Sequence, residues 1–226
     1  MTGILNLDKP SRLSSAAALN RLKRIFPRGT KIGHAGTLDP FATGVLVVLI
    51  GRATKLCEHF MSLAKQYDAM IALGATTDTL DPESAEIPGP IIAPPDRAVI
   101  EAILPRFVGL IDQMPPVFSA LKINGRRACD RTRDGQTVEL QARKVQVNGI
   151  QILDYEFPRL RVLIDCGRGT YVRSMARDIA AALGTVGYLT ALRRTAVGPC
   201  QIDQSTPLDT LLTNGPERYL LPPPEI

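Results

Sequence analysis

The longest uninterrupted apolar run in the chain is Val45-Leu46-Val47-Val48-Leu49-Ile50, bracketed by Gly44 and Gly51. A short run rich in β-branched residues between glycines reads as a buried strand. It falls well short of the roughly 18 apolar residues that a membrane-crossing helix needs. The chain must therefore find cover for this strand within its own fold. The first residues, Met1–Lys9, lack both the charged start and the long apolar stretch of a secretory signal. The expected location is the cytoplasm.

The other elements arrange themselves around that strand. Gly3–Leu7 is a short apolar stretch that stops at Asp8-Lys9-Pro10, a strand entering a turn. Ser14 and Ser15 are good helix N-caps, and Leu19, Leu22 and Ile25 follow at helical spacing up to Pro27. Lys31–Gly44 shows no period and reads as a long loop. Ala53–Leu63 fits a helix and Tyr67–Leu73 a strand. Thr76–Pro95 is a polar, proline-rich connection, after which Asp96 caps a helix carrying Val99, Ile100, Ile103 and Phe107. Phe118–Ile123 reads as a strand and Arg126–Asp134 as a short basic helix. Val145 and Val147 face one way, and Ile150 and Ile152 follow with flipped parity, so Gly149 marks a bulge. Leu160–Cys166 is a strand, Thr170 caps a helix ending near Gly184, and Leu189–Val197 is a final strand. The strands come in groups rather than in a regular βαβ alternation. The expected class is α+β, with a mixed, largely antiparallel central sheet and flanking helices.

Composition bounds the chemistry. Cys57, Cys129, Cys166 and Cys200 form no Cys-x-x-Cys pair, and His34 and His59 have no metal-binding spacing, so neither a zinc site nor a disulfide framework is expected. The net charge is +5. Its distribution says more than its size. Arg21, Lys23, Arg24, Arg28 and Lys31 crowd one segment, and Arg126, Arg127, Arg131 and Arg133 another, whereas Asp78, Asp81, Glu83 and Glu86 gather elsewhere. Segregated charge fits a basic face for a nucleic acid, although a merely solvated surface would look the same.

One segment carries the chemistry: Gly33-His34-Ala35-Gly36-Thr37-Leu38-Asp39-Pro40-Phe41-Ala42-Thr43-Gly44. It holds one carboxylate between glycines and a proline. The glycines permit backbone angles that other residues resist, and Pro40 pushes Asp39 toward an extended conformation. Taken alone, an Asp-Pro pair more often starts a turn than performs a reaction. Gly167-Arg168-Gly169 before a helix lacks the full spacing of a nucleotide-binding loop, so no nucleotide cofactor is expected.

The segment Gly33–Leu46 resembles the catalytic segment of the tRNA pseudouridine synthase B (TruB) family. Other segments match that family in order: Leu7-Asp8-Lys9-Pro10 with Ser14-Ser15, Lys65-Gln66-Tyr67 with Leu73-Gly74 and Thr77-Asp78-Thr79, and Arg168–Ser174 with Leu192-Arg193-Arg194-Thr195. The resemblance runs from the first strand to about Gly198 and implies the pseudouridine synthase catalytic fold. It implies isomerisation of the T-loop uridine of tRNA (position 55 in tRNA numbering) to pseudouridine by base flipping. Uracil leaves the ribose C1′, turns, and is rejoined through C5, with no cofactor and no metal.

Roles follow by position. Asp39 would be the catalytic carboxylate. Tyr171 would lie near C5 of the base and Arg173 would pair with Asp39. Tyr67 would stack on the flipped base and His34 would help hold the T-loop. Lys9 would support the loop or contact RNA, and Leu192 would complete the substrate site. The implied partner is the T-arm stem-loop of tRNA, met by a monomer with no membrane partner. Residues 1–206 would form the catalytic domain and 207–226 a short tail with no PUA-type domain. Gly184-Thr185-Val186-Gly187-Tyr188 departs from the family's usual Gly-x-Gly-Ala-His. A non-catalytic tRNA-binding or folding chaperone on the same scaffold is the alternative. A sugar hydrolase lacks an evident second carboxylate.

Overall fold

The computed structural model of the chain describes residues 1–90, 93–119, 122–123, 126–127 and 140–224. In chain order the strands are β1 (Gly3–Lys9), β2 (Ile32–Ala35), β3 (Thr43–Ile50), β4 (Lys65–Leu73), β5 (Ala75–Thr76), β6 (Ile87–Pro88) and β7 (Gly109–Gln113). They continue with β8 (Lys122–Ile123), β9 (Arg126–Arg127), β10 (Arg143–Glu156), β11 (Arg159–Cys166), β12 (Gly187–Val197), β13 (Cys200–Gln201) and β14 (Thr206–Pro207). The α-helices are α1 (Ser15–Leu22), α2 (Cys57–Ser62), α3 (Arg97–Ile103), α4 (Val172–Ala182) and α5 (Leu208–Asn214). The chain divides into two compact units, Met1–Asp68 with Leu192–Ile226, and Ala69–Ala191.

The first unit is organised by β3. Antiparallel β1 runs along one edge, from Gly3 opposite Ile50 to Lys9 opposite Gly44. The other edge takes antiparallel β2 over Val47–Ile50 and parallel β12 at Thr43 and Gly44. Val45–Ile50 are completely buried, so both faces of the strand are covered. That is why the sequence reads as a continuous apolar run rather than an alternating one. On one face Val45, Val47 and Leu49 pack with Ile4, Phe60 and Val197. Ala18, Leu19 and Leu22 of α1 and Leu208 and Leu211 of α5 are buried, and α5 packs on both α1 and β1. Removing one such aliphatic side chain from water stabilises the fold by about 1.5–3 kcal/mol.

The second unit is organised by the antiparallel pair β10–β11, with β7 on the free side of β10. Val145, Val147, Ile152, Leu160, Val162 and Ile164 are buried. So are Val172, Met175, Ala176, Ile179 and Ala180 of α4. Gly187 admits no side chain, because a Cβ there would lie 2.6 Å from the Ala180 Cβ and 3.0 Å from the Ala72 carbonyl oxygen. The pairing register shifts between Val147 and Gly149, which is the bulge the parity flip predicts.

The largely antiparallel, mixed sheet with flanking helices is present, with β1–β14 and β3–β12 as parallel pairs. Several local expectations are corrected. Lys31–Gly44 contains β2, whose four residues are too few to show a period. Gly51–Leu56 winds as a 3₁₀ helix before α2, so Ala53–Leu63 is not one α-helix. Arg126–Arg127 is a strand paired with β8. That cross-strand pairing overrides the local helical pattern. The rest of the expected basic helix lies outside the described residues, as does Cys129. Of the strand expected over Phe118–Ile123, Phe118 and Ser119 lie in a bend instead and only Lys122–Ile123 is strand among the described residues. Tyr171, not Thr170, is the N-cap of α4, and Thr170 instead donates its hydroxyl to the Gly167 carbonyl oxygen at 3.3 Å. Two short strands and α5 follow the strand read as the last, and Leu221 bridges to Ile4. Among the described residues no helix is long and apolar enough to cross a membrane.

Replacing Leu46, fully buried in β3, by Ala is expected to lower unfolding free energy by about 2–5 kcal/mol. Replacing Ile87, 45% exposed, should change it by less than about 0.5 kcal/mol. Urea unfolding of both variants measures the contrast.

Candidate active site

In the first unit, the segment Gly36–Ala42 connects β2 to β3 and carries Asp39, which is half-buried. Side chains from distant parts of the unit hold its backbone. The Ser15 hydroxyl donates to the Leu38 carbonyl oxygen at 3.0 Å and accepts from the Leu38 N–H at 2.9 Å. The Lys9 ammonium donates to the carbonyl oxygens of Pro10 at 2.8 Å, Leu13 at 2.6 Å and Pro40 at 3.3 Å. Arg194 donates through Nε to Val45 at 2.7 Å and through Nη2 to Gly36 at 3.0 Å. Ser11 donates to the Phe41 carbonyl oxygen at 3.0 Å. The carbonyls of Gly36, Leu38, Pro40 and Phe41 are thus all held by side chains.

Lys9 is 0% and Arg194 1% exposed. A buried cation is stable where polar groups replace its water, and backbone carbonyls do this for both, Pro10, Leu13 and Pro40 for Lys9 and Gly36 and Val45 for Arg194. Of the two roles expected for Lys9, its position supports loop scaffolding. Gly44 lies at φ +99°, and a Cβ there would sit 2.2 Å from the Arg194 carbonyl oxygen. Steric room and backbone angle both demand glycine.

His34 lies on β2 opposite Val48, and its carbonyl oxygen accepts from the Cys57 thiol at 3.7 Å. Burial, and then the Arg194 guanidinium, push its imidazole below the usual 6.5. Its buried Nδ1 has no partner among the described residues. Tyr67 is 9% and Leu192 8% exposed, on β4 and β12 respectively. Beside Leu192, Arg193 bonds the Asp8 carboxylate at 2.7 Å and the Thr43 hydroxyl at 3.2 Å. It ties β12 to β1 and β3.

The second unit holds Tyr171 and Arg173 at the start of α4. The Gln113 side-chain amide bonds both backbone groups of Tyr171. Arg173 is 5% exposed and donates to the Thr79 carbonyl oxygen at 2.8 Å, to Asp81 Oδ2 at 3.1 Å and to the Phe118 carbonyl oxygen at 2.9 Å. Asp81 is itself held, its Oδ1 accepting from the Thr79 hydroxyl at 2.6 Å and the Glu83 N–H at 3.0 Å. The guanidinium is therefore fixed in place and direction.

Lys9, His34, Asp39, Tyr67 and Leu192 thus belong to the first unit, Tyr171 and Arg173 to the second. Sequence reasoning missed the roles of Ser15, Arg194, Asp81 and Gln113. Ser15 reads locally as a cap, and Ser14 takes that role by accepting from the Ala17 N–H. Arg194 reads as part of a basic pair. Their partners are far off in sequence and leave no local pattern.

The family described as "TruB family pseudouridylate synthase (N terminal domain)" matches residues 23–172. The chain is 47% identical over 215 residues to tRNA pseudouridine synthase B of Corynebacterium aurimucosum, covering 93% of this chain and 72% of the relative. It is 45% identical over 212 residues to the protein of the same name from Caulobacter vibrioides, covering 93% and 68%. Among solved structures, a chain in the crystal structure of a Cbf5-Nop10-Gar1 complex superposes with a TM-score of 0.71 at 28% identity. That match covers 93% of this chain and 54% of the other, so this chain spans about half of that one. The matched family and the shared fold define the class, a pseudouridylate synthase. The chain belongs to the TruB family of pseudouridylate synthases.

Replacing Ser15 by Ala should lower turnover by about 10-fold or more, because Leu38 next to Asp39 loses both its bonds. RNA affinity should change little, as single-turnover kinetics beside a binding titration would measure. For His34, the neutral native imidazole contributes stability that is present above pH 6.5. It is lost as pH falls below 6.5 toward the lowered native value, where the unfolded chain binds the extra proton. Denaturant titrations at several pH values should show this loss in the native protein and a smaller one in His34→Gln.

Proposed function

We propose that the chain isomerises the T-loop uridine at position 55 of tRNA to pseudouridine, with Asp39 as its catalytic carboxylate. Family membership supports the reaction class. The single observation that carries the choice of Asp39 is the cage of side chains around its loop. Four carbonyls of the loop are held, with Asp39 between the clamped residues Leu38 and Pro40. A turn that merely reverses the chain needs no such support.

The chemistry asks for a fixed carboxylate. Cleaving the bond between uracil N1 and ribose C1′ builds positive charge on the sugar. A preorganised anion stabilises it, either by covalent attack at C1′ or by taking a ribose proton to leave a glycal. The uracil then turns, C5 bonds to C1′ (any ribose proton taken being returned), the C5 proton is lost, and N1 takes up a proton. Every atom except those exchangeable protons stays within one nucleotide, so the reaction needs no redox partner and no energy input.

In this reading Tyr171 assists loss of the C5 proton and Arg173 supplies a fixed positive charge to the reaction. The rigid mounting of Arg173 on Asp81, Thr79 and Phe118 supports such a task. Tyr67 stacks on the flipped base. Flipping costs a few kcal/mol, and stacking returns about 1–3 kcal/mol. His34, neutral at physiological pH, helps hold the T-loop without adding charge, Leu192 supplies apolar contact, and Lys9 supports the catalytic loop. The exposed Arg21, Lys23, Arg24, Arg28 and Lys31 contribute phosphate contacts along the T-arm. The protein works as a cytoplasmic monomer in this reading.

Tritium release from C5-labelled uridine in a T-arm stem-loop is the test. The native chain should release tritium, and Asp39→Asn should lose about 10³-fold or more of the rate. RNA binding by the variant should persist. RNA binding without release by the native chain would replace this reading by that of a tRNA-binding or folding protein.

A further inference from the structure

In the second unit one side chain treats a single residue as a neighbouring strand would. Gln113 Nε2 donates to the Tyr171 carbonyl oxygen at 3.1 Å, and Gln113 Oε1 accepts from the Tyr171 N–H at 2.8 Å. A pair of bonds to the N–H and C=O of one residue is the arrangement found between opposed residues of an antiparallel sheet. Those two groups flank one Cα. Holding both restrains φ and ψ there, and Tyr171 is extended at φ −100°, ψ 108°. The direction of the Cα–Cβ bond, from which the phenol projects, follows from the backbone.

Gln113 is well built for this task. It ends β7, laddered to Arg143 of β10, so its own backbone is fixed. It is 2% exposed, so water does not compete for its amide. Tyr171 needs an external hold because it is an N-cap whose side chain makes no capping bond. The residues after Gln113 continue the attachment. The Met114 carbonyl oxygen accepts from the Ser174 hydroxyl at 2.8 Å and from Arg177 Nη2 at 3.0 Å. The Phe118 carbonyl oxygen accepts from Arg173. Those bonds seat the helix, whereas the Gln113 pair acts on Tyr171 itself.

We propose that Gln113 is a positioning residue for Tyr171, setting the direction in which the phenol meets the flipped base without touching the nucleotide. The proposal rests on the role given to Tyr171 above. It separates two functions along one segment. Met114 and Phe118 hold the helix in place, and Gln113 aims one side chain at its mouth.

The test uses the full chain with Gln113→Leu, which loses both bonds at similar size, and Gln113→Glu, which keeps an acceptor and loses the donor. Single-turnover tritium release from the T-arm stem-loop should fall by about 10- to 100-fold in both. The RNA dissociation constant should stay within about threefold of native. The glutamate variant should regain rate, relative to native, as pH falls below neutral, because a protonated carboxyl again offers one donor and one acceptor. Hydrogen exchange at the Tyr171 amide should quicken at least about tenfold in Gln113→Leu, while Met175–Ile179 amides keep their protection. Native rates in both variants, or an unchanged Tyr171 amide, would overturn the proposal. So would loss of rate together with RNA affinity and helix protection, which marks general unfolding. If the native chain releases no tritium, the activity reading falls. The amide exchange still decides whether Gln113 holds Tyr171.

Discussion

Two cations without access to water determine how this molecule presents its carboxylate. Lys9 hangs from β1 and Arg194 from β12, and each donates to one backbone carbonyl of the loop between β2 and β3 as well as to carbonyls outside it. A loop that is neither helix nor strand has no ladder for its carbonyls, and buried carbonyls need donors. A buried ammonium or guanidinium needs acceptors even more urgently. Each side solves the other's problem, with charge-assisted bonds stronger than neutral ones. The register of β1 against β3 places Lys9 opposite Gly44. The parallel contact of β12 places Arg194 opposite the same glycine. Strand pairing thereby delivers both cations to one end of β3, where the loop carrying Asp39 rejoins the sheet.

The legible parts of the fold were those whose signal is local. Val45–Ile50 announced a strand covered on both faces because every position is apolar. Ser14 announced a helix start, and the parity change at Gly149 announced a bulge. A local pattern failed where a cross-strand partner competed with it, as at Arg126–Arg127, where pairing with Lys122–Ile123 prevailed over a basic helical pattern. Short elements such as β2 were illegible for a different reason. Four residues with partners across the sheet carry no period of their own.

The reaction class was legible by resemblance, and the bonds that hold the candidate residues were not. Asp39, Tyr171 and Arg173 stand in motifs that a sequence displays. Ser15, Asp81 and Gln113 act on partners 23, 92 and 58 residues away. Each is an ordinary polar residue whose meaning exists in three dimensions. A buried polar side chain that bonds both the N–H and the C=O of one residue is recognisable only in the folded chain. Ser15 on Leu38 and Gln113 on Tyr171 are two instances, one in each unit.

The bond between Arg194 and Gly36 spans 158 residues of chain. During synthesis Lys9, Ser15 and the whole Asp39 loop leave the ribosome long before β12 exists. Until then the Gly36 carbonyl lacks its donor, and β3 lacks the parallel neighbour at Thr43 and Gly44. The loop therefore gains its last bonds late, as a consequence of vectorial folding rather than of its own sequence. A nascent chain carries the carboxylate from early on and the bonds that fix its loop only near the end.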